Sequence, residues 1–323
     1  MKKCQCVKLS IVGTMKSRKR VIYPGILNHC YQRGADGILL FYSVADHLVY
    51  FSLYCLLARK YQIQVLSLCQ MPDHVHDTVA AQEAWQLSRF KQEVNARFSR
   101  MQNELCHWDG PVFESAFGSA PKLGAKKART NLIYVGNNPV ERQLSRHAEC
   151  YRWNYLAYAT SRHPFSKNLI LNSCRHSMRK AWAEIKSQYK NGRPLTYALL
   201  KRIGEPLTSE ERQQLTDAAI GLYNVIDYAA AIRFFDNCGD MLQAMHANSG
   251  SEYDLNEITV GRSDACYRQF TSLLLRTGRF QDIHQVLSLP ADQRRNLRPL
   301  LLQADAHPSQ VDKYLRLPFS KGR

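Results

Sequence analysis

The chain has 323 residues, a mass of 37.1 kDa and 45% hydrophobic residues. That is enough to bury one large core or two modest ones, and too apolar for a disordered chain. Its 44 basic residues outnumber 27 acidic ones, for a formal charge of +17 and a pI near 9.5. Such a surplus favours polyanions, because each phosphate met by Lys or Arg releases a condensed counterion. No run of about 18 uncharged apolar residues occurs, so no membrane-spanning helix is expected.

Residues 1–25 read as a basic N-terminal arm. The stretch MKKCQCVKLSIVGTMKSRKR opens like a signal peptide, but its apolar part is a few residues long and more charge follows, which points to a cytoplasmic protein. Residues 26–33 (ILNHCYQR) form a predicted strand closed by Gly34. Apolar spacing at Val44, Leu48, Phe51 and Cys55 predicts an amphipathic helix over 44–61. Strands follow at 62–69 and 74–80, separated by the turn Met71-Pro72-Asp73. A long helix over 82–105 carries Leu87, Phe90, Val94, Phe98 and Met101 on one side, PVFESAF (111–117) reads as a short strand, and 125–137 as a further helix ending or kinking at Pro139. The order β-α-β-β-α-β predicts an α+β fold with a ferredoxin-like, split βαβ sheet.

Beyond about residue 160 the pattern is almost wholly helical, with breaks at 191–194, 204–206 and 248–251. Thr208-Ser209-Glu210-Glu211 predicts a cap for a helix running to Phe235. Residues 161–323 are thus expected to be a helical accessory domain with a helix-turn-helix near 297–318. Its recognition helix, Ser309–Leu317, would point Gln310, Lys313 and Arg316 at DNA. The ten cysteines (4, 6, 30, 55, 69, 106, 150, 174, 238 and 266) show no pairing framework, and buried reduced thiols are expected.

Two short patterns carry chemistry. In MPDHVHD (71–77) His74 and His76 are two apart on a strand, so both imidazoles project from one face and can share a divalent cation. In YVGNNPV (134–140) Tyr134 and Asn138 are four apart and share a helix face. A phenol is a weak nucleophile at neutral pH, but a metal-polarised phosphate is a target that it can attack. Between Glu114 and Glu141 no acid occurs, while Lys122, Lys126, Lys127 and Arg129 crowd together as a candidate nucleic-acid track.

From about residue 26 to 158 the chain resembles the REP-associated tyrosine transposases, a branch of the single-tyrosine HUH transposases. MPDHVH (71–76) is similar to that family's MPNHVH metal motif and YVGNNPV (134–140) to its YIxxNPV nucleophile segment. NHCYQRG (28–34), which brings Arg33 to a first-strand Arg-Gly, VFESAF (112–117) and the aromatic YRWNYLAY (151–158, against WSSY) support the match. The resemblance implies a catalytic domain over 26–160 in which His74, His76 and Asn138 hold Mg2+ or Mn2+. Tyr134 would cut single-stranded or hairpin DNA as an endonuclease and strand transferase, leaving a 5′-phosphotyrosine. Homodimers are usual in the wider superfamily, and a helix exchanged between protomers could complete each site. Asp73 replaces the usual Asn and Asp77 the usual apolar residue; Asp77 alternates to the opposite face from His76 and is not expected to ligate. Two other readings stand beside this one: a domesticated DNA-binding protein of the same fold with weak or lost catalysis, and an unrelated metal hydrolase using Asp73, His74 and His76. RNA remains open as the single strand.

Overall fold

The computed structural model describes residues 21–114, 116–247 and 263–317. The basic arm to residue 20, Cys4, Cys6 and the break at 248–251 lie outside these. Four strands, β1 (Asn28–Arg33), β2 (Gln64–Gln70), β3 (His74–Ala80) and β4 (Gly118–Pro121), form one sheet in the order β2-β3-β1-β4, every neighbouring pair antiparallel. Helices α1 (Val44–Lys60) and α2 (Ala84–Cys106) cover one face of it and α3 (Ala125–Glu141) part of the other.

Helix α1 starts at a capping box. The Ser43 side chain accepts from the Asp46 backbone, while the Asp46 carboxylate accepts from the backbone N–H groups of Tyr42 (2.9 Å) and Ser43 (2.8 Å). On α2 the apolar stripe is buried at Leu87, Phe90, Val94 and Phe98.

The strand expected at 111–117 is displaced to 118–121. Val112 and Phe117 are buried in the core, and an isolated bridge joins Gly34 to Phe113, with Ala35 N–H donating to the Val112 carbonyl (3.0 Å) and Glu114 N–H to the Arg33 carbonyl (2.9 Å). The small residues that follow suit a strand there, because the Tyr31 ring lies over Gly118. A Cβ on Gly118 would come within 2.1 Å of that ring. Helix α3 also passes through Pro139 instead of ending there. Proline removes one backbone donor near the C-terminus, and the helix still closes through Arg142 N–H to Asn138 C=O (3.1 Å) and Leu144 N–H to Pro139 C=O (2.8 Å).

Ten helices follow among the described residues: α4 (His176–Lys190), α5 (Tyr197–Gly204), α6 (Ser209–Tyr223), α7 (Tyr228–Ile232), α8 (Cys238–Ala247), α9 (Cys266–Arg276), α10 (Ile283–Leu287), α11 (Ala291–Arg295), α12 (Arg298–Leu302) and α13 (Pro308–Tyr314). Thr208 caps α6 as expected, but the helix stops at Tyr223, and 224–227 lead into the separate α7. These helices share cores with the sheet region. Met178, Ile185, Leu199 and Ile220 join the cluster of α1 and α2, whereas Phe235, Met241 and Met245 pack with Leu132 and Ile133 of α3.

The proposed recognition face of α13 turns inward. Gln310 donates to the Ser263 carbonyl (2.9 Å), Lys313 to Asp73, and Arg316 to Gln102 (3.0 Å) and the Tyr42 hydroxyl (3.3 Å). Val311, Tyr314 and Leu315 sit in a core with Leu39, so α13 is docked on the sheet region by both its apolar and its polar sides. Cys30, Cys55, Cys69 and Cys106 are buried thiols, and Cys150 is exposed. No helix among the described residues is long and apolar enough to cross a membrane.

Candidate active site

Strand register decides which side chains meet. Tyr31 is opposite His76, Arg33 opposite His74 and His29 opposite Thr78, so His29, Tyr31, Arg33, His74, His76 and Thr78 share one face. Helix α3 is fixed on that face by Thr78 Oγ1 donating to Asn131 Oδ1 (2.8 Å). One turn further along α3 is Tyr134, 6% exposed, its ring edge-on to both His29 and His76 at 5.5 Å between centroids. Asn138, a turn beyond, brings Oδ1 to 3.5 Å from His74 Nε2 and donates from Nδ2 to the Tyr134 carbonyl (3.3 Å). His74, His76, Tyr134 and Asn138 are thus brought together within one chain.

Each histidine is anchored through Nδ1. His74 Nδ1 is 2.6 Å from Asp73 Oδ1, and His76 Nδ1 is 2.9 Å from His29 Nε2. The tautomers that donate from Nδ1 leave lone pairs on both Nε2 atoms, the form in which imidazole ligates. His76 Nε2 is buried with no hydrogen-bond partner, and His74 Nε2 then faces another acceptor, Asn138 Oδ1. A buried acceptor without a donor is costly. A divalent cation met by His74, His76 and Asn138 satisfies all three atoms, so the residues fit the group.

Electrostatics keep the His76 and His29 rings neutral. Burial, with the charges of His74 and His29 nearby, holds the His76 imidazole well below its ordinary value. Burial, with Lys122 and Lys91, pushes His29 down to about 3. At Asp73 burial would raise the carboxyl, but His74 and Lys313 outweigh it and hold it well below the usual range. The extension therefore reaches the site through Lys313.

His29 escaped sequence reasoning; the available signal was its place two and four residues before Tyr31 and Arg33 on one strand face. Asp77 does point away from the histidines: its Oδ2 accepts from Lys91 of α2 and from the Tyr54 hydroxyl of α1 (2.7 Å). Arg33 is exposed at the end of β1, and Lys126 and Lys127 are exposed in the first turn of α3, which Gly124 opens with no side-chain cap. Lys122 is half-buried, its ammonium lowered by burial and by Lys127. Arg129 departs from the expected track. It donates to the Phe234 carbonyl (3.1 Å) and Asp240 (3.2 Å) and lies over the Phe235 ring, tying α3 to α8 and the segment before it.

Among curated proteins none matches this chain. A solved structure described as "Structure of the REP associates tyrosine transposase bound to a REP hairpin" is similar at 13% identity, over 45% of this chain and 84% of that one, with a TM-score of 0.39. Residues 5–119, which hold β1, β2, β3 and both His74 and His76, match the family described as "Transposase IS200 like". Over residues 5–119 the chain is thus similar to the IS200-like transposases.

Proposed function

We propose that this protein is a metal-dependent single-stranded DNA endonuclease and strand transferase, acting on hairpin or repeat DNA through a phosphotyrosine at Tyr134. The observation that carries this reading is the meeting of Tyr134 with two Nδ1-anchored histidines and Asn138, around a buried His76 Nε2 that lacks a partner. Likeness to the IS200-like transposases over residues 5–119 supports DNA as substrate, and the strand order β2-β3-β1-β4 supports a ferredoxin-like HUH domain. His74, His76 and Asn138 would hold Mg2+ or Mn2+. The cation, when bound, supplies charge neutralisation at the scissile phosphate.

The protein's own groups account for the rest. The Tyr134 phenol oxygen bonds to phosphorus at the 5′ side of the cut, and its proton passes to solvent. The bond from that phosphorus to the preceding 3′ oxygen breaks, and the oxygen leaves protonated as a 3′ hydroxyl. Reversal with a different 3′ hydroxyl joins strands. His29 and Asp73 hold the imidazoles in orientation, while Lys122, Lys126 and Lys127, beside the uncapped start of α3, suit the phosphate backbone. Tyr31, 43% exposed on the open part of the same face, offers a ring on which a base can stack.

The test is incubation with single-stranded hairpin DNA and Mn2+, read as a covalent adduct on a denaturing gel. Wild type forms the adduct, EDTA prevents it, and Tyr134→Phe abolishes it while hairpin binding persists. An adduct of undiminished yield in Tyr134→Phe contradicts the assignment.

A further inference from the structure

A second set of metal-type donors lies on the other flank of α3. His147 and Glu149 flank the buried Ala148 at the short turn Ala148–Cys150, and His246 comes from the end of α8. The donor atoms of all three lie within 4.8 Å of one another. His246 Nε2 is 3.0 and 3.2 Å from the two Glu149 oxygens, and the His147 and His246 rings are 4.5 Å apart between centroids. Metal–ligand bonds of about 2.0–2.2 Å place tetrahedral donors roughly 3.3–3.6 Å apart, so small side-chain rotations close these three around one ion.

The two halves of the set are braced by neighbouring residues of α3. The turn is held by Asn154, whose Nδ2 donates to the carbonyls of Ala148 (2.9 Å) and Gly136 (3.0 Å). Helix α8 is held by Asn137, which donates to the Met245 carbonyl (2.7 Å), and by close packing of Met245 on Gly136. A Cβ on Gly136 would come within 2.7 Å of the Met245 sulfur. Gly136 thus lets Met245 lie close against the helix. Helix α3 thus presents Tyr134 and Asn138 to the sheet histidines and Gly136 and Asn137 to α8, which separates the two sites.

We propose that His147, Glu149 and His246 form a second divalent-metal site, of zinc type, that clamps α8 and the turn after α3 onto the tyrosine helix. Two imidazoles and one carboxylate suit Zn2+, or Co2+ as its stand-in, and not Mg2+, which prefers an octahedral oxygen shell. The fourth position falls to solvent, since the side chains of His246 and Glu149 are 40% and 28% exposed. The ion's work here is mechanical: it joins residues 97 apart in sequence and limits movement of the helix that carries Tyr134.

The experiment uses the full chain with His76→Ala, so that the sheet site lacks a ligand and failure of the tyrosine-nuclease reading leaves the result intact. The protein is stripped with EDTA, titrated with Zn2+ or Co2+, and followed by elemental analysis, Co2+ absorption in the visible range and thermal melting. One equivalent of Zn2+ should remain bound at micromolar free metal and raise Tm. His246→Gln, and separately Glu149→Gln, should weaken that binding by at least the roughly hundredfold that even an outer-shell partner can cost, and should remove the rise in Tm. These partly exposed positions allow the variants to fold, which circular dichroism checks. No uptake in the His76→Ala background, or uptake unchanged in both further variants, overturns the proposal and leaves a simple His246–Glu149 hydrogen bond.

Discussion

The two faces of β3 differ in how their buried polar groups are met. All seven residues from His74 to Ala80 are buried. On the α1–α2 face the Asp77 carboxylate is given a counter-charge by Lys91 and a hydroxyl by Tyr54, although its second oxygen has no partner. On the α3 face His74 and His76 are held at Nδ1, while Nε2 is left without a donor in one and opposite an acceptor in the other. On one face a buried charge meets a counter-charge within the chain, and on the other two imidazole nitrogens suited to a metal meet no donor. Burial alone does not distinguish a structural polar group from a functional one; the chemistry of the unmet atom does.

The largest contrast should come from the histidines. His76→Ala and His74→Ala should each reduce Mn2+-dependent adduct formation by at least about a hundredfold, more than loss of an outer-shell partner, with Tm changed by only a few degrees. Single-turnover assays and melting curves separate the two effects. A large fall in Tm with adduct formation intact would break the comparison.

On the opposite face the pattern should invert. Lys91→Met strands a buried carboxylate and should cost about 3–5 kcal/mol by denaturant unfolding, while folded molecules still form adduct at the normal rate. Adding Asp77→Asn removes the stranded charge and should recover much of that loss.

A second internally met pair extends the structural class. His284 of α10 lies 2.9 Å from Asp46 at the start of α1. Burial would lower its imidazole, but Asp46 and Asp282 raise it from 6.5 to about 9. A raised histidine stabilises fully below its unfolded value and loses that contribution as pH climbs through its folded one. Unfolding free energy should therefore drop between about pH 6.5 and 9.5 by on the order of 3 kcal/mol, and His284→Gln should flatten that slope. An unchanged slope in the variant would remove this pair from the class.

A smaller effect sharpens the role of Asp73, which serves both His74 and Lys313. Asp73→Asn keeps the size and removes the charge. It should weaken Mn2+ affinity by about tenfold and leave Tyr134 reactive at saturating metal. Smallest of all is the basic stretch: neutralising Lys122, Lys126 and Lys127 together should make the log–log salt dependence of hairpin binding shallower, by roughly 0.7 for each phosphate the protein no longer neutralises.

Much of the candidate site was legible because its spacing is local. His74 and His76 are two apart on a strand, and Tyr134 and Asn138 one turn apart on a helix; periodicity alone places each pair on a face. The same holds for α1, α2 and the Thr208 cap. What stayed hidden depends on partners far along the chain. His29 is recruited by strand register, Lys313 reaches Asp73 across 240 residues, and His246 meets Glu149 across 97. The misplaced strand has a related cause. The apolar run 111–117 has strand propensity, but Val112 and Phe117 are buried in the core, whereas the weak strand former Gly118 pairs beneath the Tyr31 ring. The basic spacing on α13 also read as a DNA-facing surface because the sequence does not display Asp73, Gln102 and Tyr42 waiting opposite.

The central claim is that Tyr134 is the nucleophile poised beside the unmet face of β3. Its most direct test is to trap the adduct of wild-type protein with hairpin DNA and Mn2+, digest both components, and locate the attached nucleotide by mass spectrometry. The account predicts a single 5′-phosphonucleotide on the peptide containing Tyr134. Attachment at the exposed Tyr31, at Tyr151 or at any residue other than Tyr134 would contradict it.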